Sequence, residues 1–481
     1  MARLGFLVFL ALIVAAPLPL GSKHLWSLSL LESLCALSFA LAIIQPHAMD
    51  RLRRNRLIVS CFALLPLVAG LQLVPLPQGV LDLLGKASGT MADVPVSGLT
   101  RDILSRDASS TMTQLLKSFA FFLFFCSALI HLHTPQRLKL AMETVVISGV
   151  LQASYGVMVT LGGRKLDILG TFYYSPFKGS AIGTFTNRDH LAGYLEMAIA
   201  TGVGLLVAQI LQDKDPWLGM KAVLRRILAS IMEGKARIRI FLALMVVALV
   251  LTHSRMGNAA FYGSLGVSAL LGLVIFRKSR NRTSLMILFS SLILIDVLIL
   301  GAWFGLDTLA ERIQTTDTRS DLRFVIYPML VEVLKQTPLL GFGGGSFPSL
   351  SYMYQDERLY YWFEHAHNDY LETLTDYGII GAIPFGLVAA LALGAALRSQ
   401  TLRHNATLKG AGFAATMGMI SLLAHGALDF NLQIPANALT FTLLCAFACS
   451  ALTQEHVRRS EPSRKRRDRE KESRHERALA P

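Results

Sequence analysis

The sequence predicts an all-α, polytopic integral membrane protein. Of 481 residues, 53% are apolar and only 16% are charged, whereas a soluble domain carries roughly a quarter charged residues. The apolar residues are gathered in runs of about 20, the length that crosses a bilayer. A third observation, the placement of Lys and Arg, sets the sidedness. Together these exclude secreted, disordered, fibrous and cytosolic-enzyme classes.

Twelve runs read as helices, at about 4–20, 25–45, 57–76, 115–132, 138–160, 191–211, 240–254, 257–276, 284–304, 378–397, 410–428 and 434–453. The first has no small-residue cleavage site and a second span follows at once, so it reads as a retained helix rather than a signal peptide. The run at 240–254 is the shortest. Cys35, Cys61, Cys126, Cys445 and Cys449 all fall inside apolar runs, as packing residues rather than a disulfide framework or metal site. Cys445 and Cys449 share a helix face, but without nearby His or carboxylate they are a poor ligand set.

With the N-terminus in the cytoplasm, the inner segments hold 31 of the 46 Lys and Arg and the outer segments 15. That bias places both termini inside, and an even number of spans likewise requires them on one side. It also accounts for the net charge of +14 without nucleic acid. The tail 454–481, with its run RKRRDREKESRHER, reads as a disordered basic segment beside an anionic leaflet. Segment 212–239 reads as an amphipathic helix on the cytoplasmic surface.

The unusual polar sequences then collect on the outer side. In GTFTNRDHLAG (183–193), Asn187 and Arg188 open the sixth span. An arginine there opposes the helix dipole, but with the unpaired first-turn amides it suits an anion such as phosphate. Glu196, two turns further, is costly in lipid and should face the protein interior. In HSRMG (253–257), Arg255 sits at a tight outer turn. Taken singly, either arginine also reads as a snorkelling interfacial anchor. The large outer loop 305–377 carries Arg319 and Arg323, one turn apart if helical, and then PLLGFGGGSF (338–347). That glycine stretch follows no strand and lacks the Lys-Ser/Thr ending of a nucleotide loop, so it reads as a flexible turn.

The densest cluster is EHAHNDYLETLTDYGIIG (364–381). If helical, it puts His365, Asp369 and Glu372 on one face and His367 on another with Leu371 and Leu374. Both histidines could then bind one metal only if the segment were extended. A histidine not needed for metal is a natural general base near neutral pH.

Taken in order over about 183–440, GTFTNRDHLAGYLEM, HSRMG, DTRSDLRFVIYPMLVEVLKQTPLLGFGGGSF, HAHNDYLETLTDYGIIG and AHGALDFNLQIPANALTFTLL resemble the O-antigen ligase and polymerase superfamily of membrane glycosyltransferases. A His-Asn-(nine residues)-Gly pattern is met by His367, Asn368 and Gly378. The chain departs from the resemblance at Asp189, where Asn is expected; the change adds a negative charge beside Arg188. The resemblance divides the chain into N-terminal helices 1–180, a ligase-like catalytic region 181–453 including loop 305–377, and the tail 454–481. It implies a polyprenyl-diphosphate-linked glycan donor, an acceptor hydroxyl on a glycan, lipid A core or other molecule, and action at the outer face of the bacterial inner membrane, among its lipids. It also implies no cofactor and no metal.

That chemistry needs fixed cations where diphosphate charge develops, which Arg188 and Arg255 could supply with Arg319 and Arg323. It needs a base for the acceptor, for which His367 is the best placed. Asn187, His365, Asn368, Asp369 and Gly378 would support them. Direct displacement with inversion is expected. A polymerase joining lipid-linked repeats would use the same donor. A lipid-linked glycan transporter is the alternative of another class, suggested by Glu32, Glu143, Glu196 and Asp296 within the spans. Against it, the halves show no evident repeat and the polar clusters avoid the midplane.

Overall fold

The computed structural model describes residues 2–81, 103–171, 176–177, 179–213, 235–304, 322–353 and 363–454. The amphipathic reading of 212–239 falls largely, and that of the tail almost wholly, outside them, as do Arg319 and the adjoining part of the outer loop. The described residues form an all-α bundle. The helices are α1 (Ala2–Ala15), α2 (Leu25–Ile43), α3 (Ala48–Arg54), α4 (Arg56–Leu71), α5 (Ala108–His131), α6 (Pro135–Gly162), α7 (Arg188–Gln212) and α8 (Lys235–Leu251). They continue as α9 (Arg255–Ile275), α10 (Arg282–Phe304), α11 (Leu322–Gln336), α12 (Phe347–Met353), α13 (Asp369–Leu402), α14 (Ala406–His425) and α15 (Pro435–Thr453).

Each of the twelve apolar runs is helical. Among the described residues, eight helices are long and apolar enough to cross a membrane, or nine if α3 and α4, bent by 92° at Asn55, form one broken span. Helix ends differ from the hydropathy reading for local reasons. α1 stops at Ala15 because Pro17 and Pro19 follow. α5 and α13 start earlier than their apolar runs, since Asp107 and Asn368 cap polar first turns that hydropathy does not register.

At the centre α7 and α14 run antiparallel, and both are largely enclosed by other helices. A Cβ on Gly204 would collide with Gly410 O, and one on Gly410 with Gly204 O. The two backbones therefore touch, with Ala208 and Ala414 one turn away on the same stripes. Small residues four apart give this close approach where lipid supplies no hydrophobic drive between helices.

Hydrogen bonds sort the helix ends into two sets. At one end Thr184 Oγ1 donates to Pro17 O (2.5 Å), Ala181 N to Leu251 O (2.8 Å), Asn437 Nδ2 to His190 O (2.9 Å) and Asp369 N to Gly426 O (2.8 Å). At the other, Arg51 Nη1 donates to Ile130 O (2.9 Å), Gln454 Nε2 to Leu132 O (2.7 Å) and Asn281 Nδ2 to Ile210 O (2.6 Å). This second end carries the basic clusters 51–56, 277–282 and 398–409.

The glycine stretch is no flexible turn. α13 breaks at Gly378 (φ 65°, ψ −177°), which opens backbone groups on both sides of the break. Phe342 N and Gly343 N donate to Thr375 O and Asp376 O, both at 2.9 Å. Ile379 N and Ile380 N donate to Pro338 O (2.8 Å) and Leu339 O (3.0 Å). Gln72, at the end of α4, closes the clasp by donating to Leu340 O (3.0 Å) and Asp376 O (2.9 Å) and accepting from Gly344 N (2.9 Å). The glycines allow this because segment 338–345 lies directly against the broken helix.

Five cysteines are buried and unpaired. Of the acids that suggested transport, Glu196 alone is shown fully buried. Glu32 is partly exposed, Glu143 is partly exposed and pairs with Lys139 at 3.6 Å, and the side chain of Asp296 is not among those described.

Candidate functional site

Residues 364–368 are not helical; α13 begins at Asp369. The shared helical face expected for His365, Asp369 and Glu372 is therefore replaced by a tighter arrangement. Asn368 caps α13: its Oδ1 accepts from Tyr370 N and Leu371 N (both 3.0 Å), and its Nδ2 donates to Ala427 O (2.8 Å). That last bond pins the segment to the turn after α14. Glu372 reaches back, accepting from Ala366 N at Oε2 (2.8 Å) and meeting His365 Nδ1 at Oε1 (2.8 Å).

His367, in the left-handed region at φ 50°, points elsewhere. Its Nδ1 lies 3.5 Å from Asp429 Oδ1, within ion-pair range but not aligned as a hydrogen bond. The His367 side chain is 27% exposed and that of Asp429 2%, so one is reachable and the other is not. Tyr327 on α11 donates to His367 O (2.9 Å). Phe430 lies between the histidines, stacked on His365 at 4.2 Å and edge-on to His367 at 4.8 Å between centroids. The two rings thus serve different carboxylates. Among the described residues no group of three or more His, Cys, Asp or Glu is arranged to hold a metal.

Burial opposes the charge on Asp429, but the facing His367 and the charges of His190 and His425 outweigh it and hold the carboxyl well below the usual carboxylate range. Asn431 Nδ2 donates to its Oδ2 (3.0 Å), which also lies 3.7 Å from His425 Nε2. Behind it His425 Nδ1 meets Glu196 Oε1 (2.8 Å), and Ser421 Oγ donates to Glu196 Oε2 (2.7 Å). Asp369 is buried against the same turn, its Oδ2 accepting from Leu432 N (3.1 Å).

Asn187 caps α7 by accepting from Asp189 N (2.9 Å). Arg188 follows, its guanidinium 5.0 Å from the centre of Phe177 and its buried Nε without a hydrogen bond, since Asp189 Oδ2 is 4.0 Å away. Arg255 is exposed in the first turn of α9, after the Ser254 cap, whose Oγ accepts from Gly257 N (3.1 Å). A Cβ on Gly257 would come within 2.7 Å of Ala192 Cβ and 3.2 Å of Glu196 Oε1, so α7 and α9 start side by side. Both arginines therefore open helices at the end of the bundle that holds His367. Arg323 lies in the first turn of α11, whose Tyr327 touches the site. Gly378 is not at the site; it shapes the clasp two turns along α13.

Sequence reasoning missed Asp429, His425, Phe430 and Tyr327. In the sequence the segment AHGALDF stands out only as part of a pattern, because a contact across 62 residues between His367 and Asp429 leaves no periodic mark. At the rim, Lys23 Nζ pairs with Glu364 at 2.6 Å, tying the α1–α2 connection to the outer loop. Burial opposes the charge of Glu364, yet the Lys23 bond holds its carboxyl below the ordinary value.

Residues 240–386 match the model of the O-antigen ligase family, Wzy_C. No curated protein matches the chain.

Proposed function

From an O-antigen ligase domain in residues 240–386 of a multi-pass membrane protein, we propose that this chain transfers a glycan from polyprenyl diphosphate to an acceptor hydroxyl. The reading rests chiefly on one observation. The reachable, carboxylate-backed His367 and the arginine-opened starts of α7 and α9 share one end of the bundle.

That end lies opposite the basic clusters, and the positive-inside bias supports reading it as the outer end, with both termini cytoplasmic; the membrane is read as a bacterial inner membrane crossed twelve times. A proton on Nδ1, towards Asp429, leaves Nε2 of His367 as the basic nitrogen. Nε2 takes the acceptor's hydroxyl proton as the acceptor oxygen bonds to the anomeric carbon. The bond from that carbon to the diphosphate oxygen breaks, and its electron pair leaves with the diphosphate. Asp429 balances the imidazolium that forms, as the carboxylate behind a catalytic histidine does elsewhere. Arg188 and Arg255, with Arg319 and Arg323, meet the charge growing on the leaving group, helped by first-turn amides. Attack opposite the leaving group inverts the anomeric carbon. Diphosphate leaves without protonation, so no second acid is required.

The test is transfer by purified protein from a polyprenyl-diphosphate glycan. Product on lipid A core supports ligation, and product on a second lipid-linked repeat supports polymerisation. Movement of intact donor across vesicles without any transfer would overturn the proposal.

A further inference from the structure

We propose that Glu196 and His425 are a positioning pair that holds Asp429 towards His367, with His425 kept as a doubly protonated imidazolium between two carboxylates. The inference rests on the reading of His367 as the base.

His425 has no exposure and both ring nitrogens face acids: Nδ1 to Glu196 Oε1 at 2.8 Å and Nε2 to Asp429 Oδ2 at 3.7 Å. A neutral imidazole carries one proton, so one of its nitrogens would present a lone pair to a carboxylate. With Glu196 and Asp429 both ionised and no cation between them, two like charges would sit unpaired in the bundle, which is strongly unfavourable away from water. A proton on each nitrogen removes both problems. The three groups then total one negative charge, and that charge lies on Asp429, whose Oδ1 faces His367. When His367 takes the acceptor's proton, the four-residue array becomes neutral.

Glu196 is itself fixed. Ser421 donates to its Oε2 at 2.7 Å, and its Oε1 lies against Gly257, where a Cβ would come within 3.2 Å of it. Hydrogen bonds join Ser421, Glu196 and His425 in the sealed α7–α14 interface, and ion-pair contacts at 3.7 and 3.5 Å continue from His425 through Asp429 to the reachable ring of His367. Other charged or titratable groups facing the array are His190 and Asp189 on α7, Asp369 and Glu372 on α13, His365 before it, and Lys23. Substituting His425 or Glu196 leaves all of these in place.

The test uses full-length protein labelled with ¹⁵N-histidine in nanodiscs, together with the transfer assay. The expected wild-type spectrum at pH 8 contains one imidazolium with both nitrogens protonated. That signal should vanish both in His425→Gln and in Glu196→Gln. His425→Gln should lower kcat by about tenfold to a hundredfold through a misplaced Asp429, with KM for the donor within twofold. A wild-type spectrum without an imidazolium at pH 8 overturns the proposal and needs no variant. Unchanged kcat in His425→Gln, or a parallel collapse of kcat, donor binding and thermal stability, overturns the positioning role. If wild-type protein transfers nothing to any acceptor, it is the proposed function that has failed.

Discussion

His367 sits at φ 50°, where a residue with a side chain is strained, between Ala366, whose amide is held by Glu372, and the capping Asn368. Strain of this kind costs on the order of 1–3 kcal/mol and persists only where neighbours over-determine it. Here the turn aims one imidazole at Asp429 and leaves the other with Glu372. His367 and Asn368 were legible as a motif. Their partners were not, because Asp429 reaches them only through the packing of α14 on α13.

Asp429 yields a pH prediction. Its folded carboxyl lies below the ordinary value. The stability it contributes is therefore fully present above about pH 4, the unfolded carboxylate value, and is lost as pH falls through the depressed folded value. Asp429→Asn should unfold at a lower temperature than wild type at pH 7. The gap should narrow in a melting series taken down to pH 3. The arginines carry a second prediction. Arg188→Ala and Arg255→Ala should each cut transfer strongly at unchanged protein level. Lysine should restore only part of it, because an ammonium lacks the two-pronged fit to phosphate. Full activity in either alanine variant would leave that residue as an interfacial anchor.

At the scale of elements, helix existence was legible from hydropathy and helix purpose was not. Every apolar run became a helix because a backbone in lipid must satisfy its own polar groups. Hydropathy said nothing of the break in α13, since Gly378 sits in an uninterrupted apolar and polar mixture. The glycine run 343–345 looked like slack chain but closes that break, with Gln72 as its bolt. A Cβ at Gly378 would run into Leu339 O and Leu340 N, and the φ of 65° is itself unfavourable. Gly378→Ala should therefore lower thermal stability by an amount in the range of about 1–3 kcal/mol or more, whereas Gly386→Ala, where nothing lies within 4 Å, should stay near wild type in the same melting assay.

At the scale of the molecule, charge placement makes the expectation about sidedness. The helix ends joined by Arg51, Gln454 and Asn281 are also the basic ends, and those joined by Asn437, Asp369 and Lys23 hold the candidate site. The bundle is thus divided along the line that the positive-inside count draws. A reporter fused after Pro481 should be active only in the cytoplasm, and one inserted near Gln355 only outside. The opposite pattern would put the site on the wrong face for an exported lipid-linked donor. What neither charge nor hydropathy could convey is that helices before residue 180 help build the site end, through Pro17, Lys23 and Gln72.

The proposed transfer requires His367 as the base while the diphosphate is held elsewhere. Transfer and donor binding should be measured side by side on purified wild type, His367→Ala and His365→Ala, with and without chelator. His367→Ala is expected to lose on the order of 10²–10⁴ in rate and still bind the donor, while His365→Ala keeps measurable transfer and chelator changes nothing. Equal and complete loss in both variants, together with inhibition by chelator, would contradict the account and point to a metal shared by the two histidines.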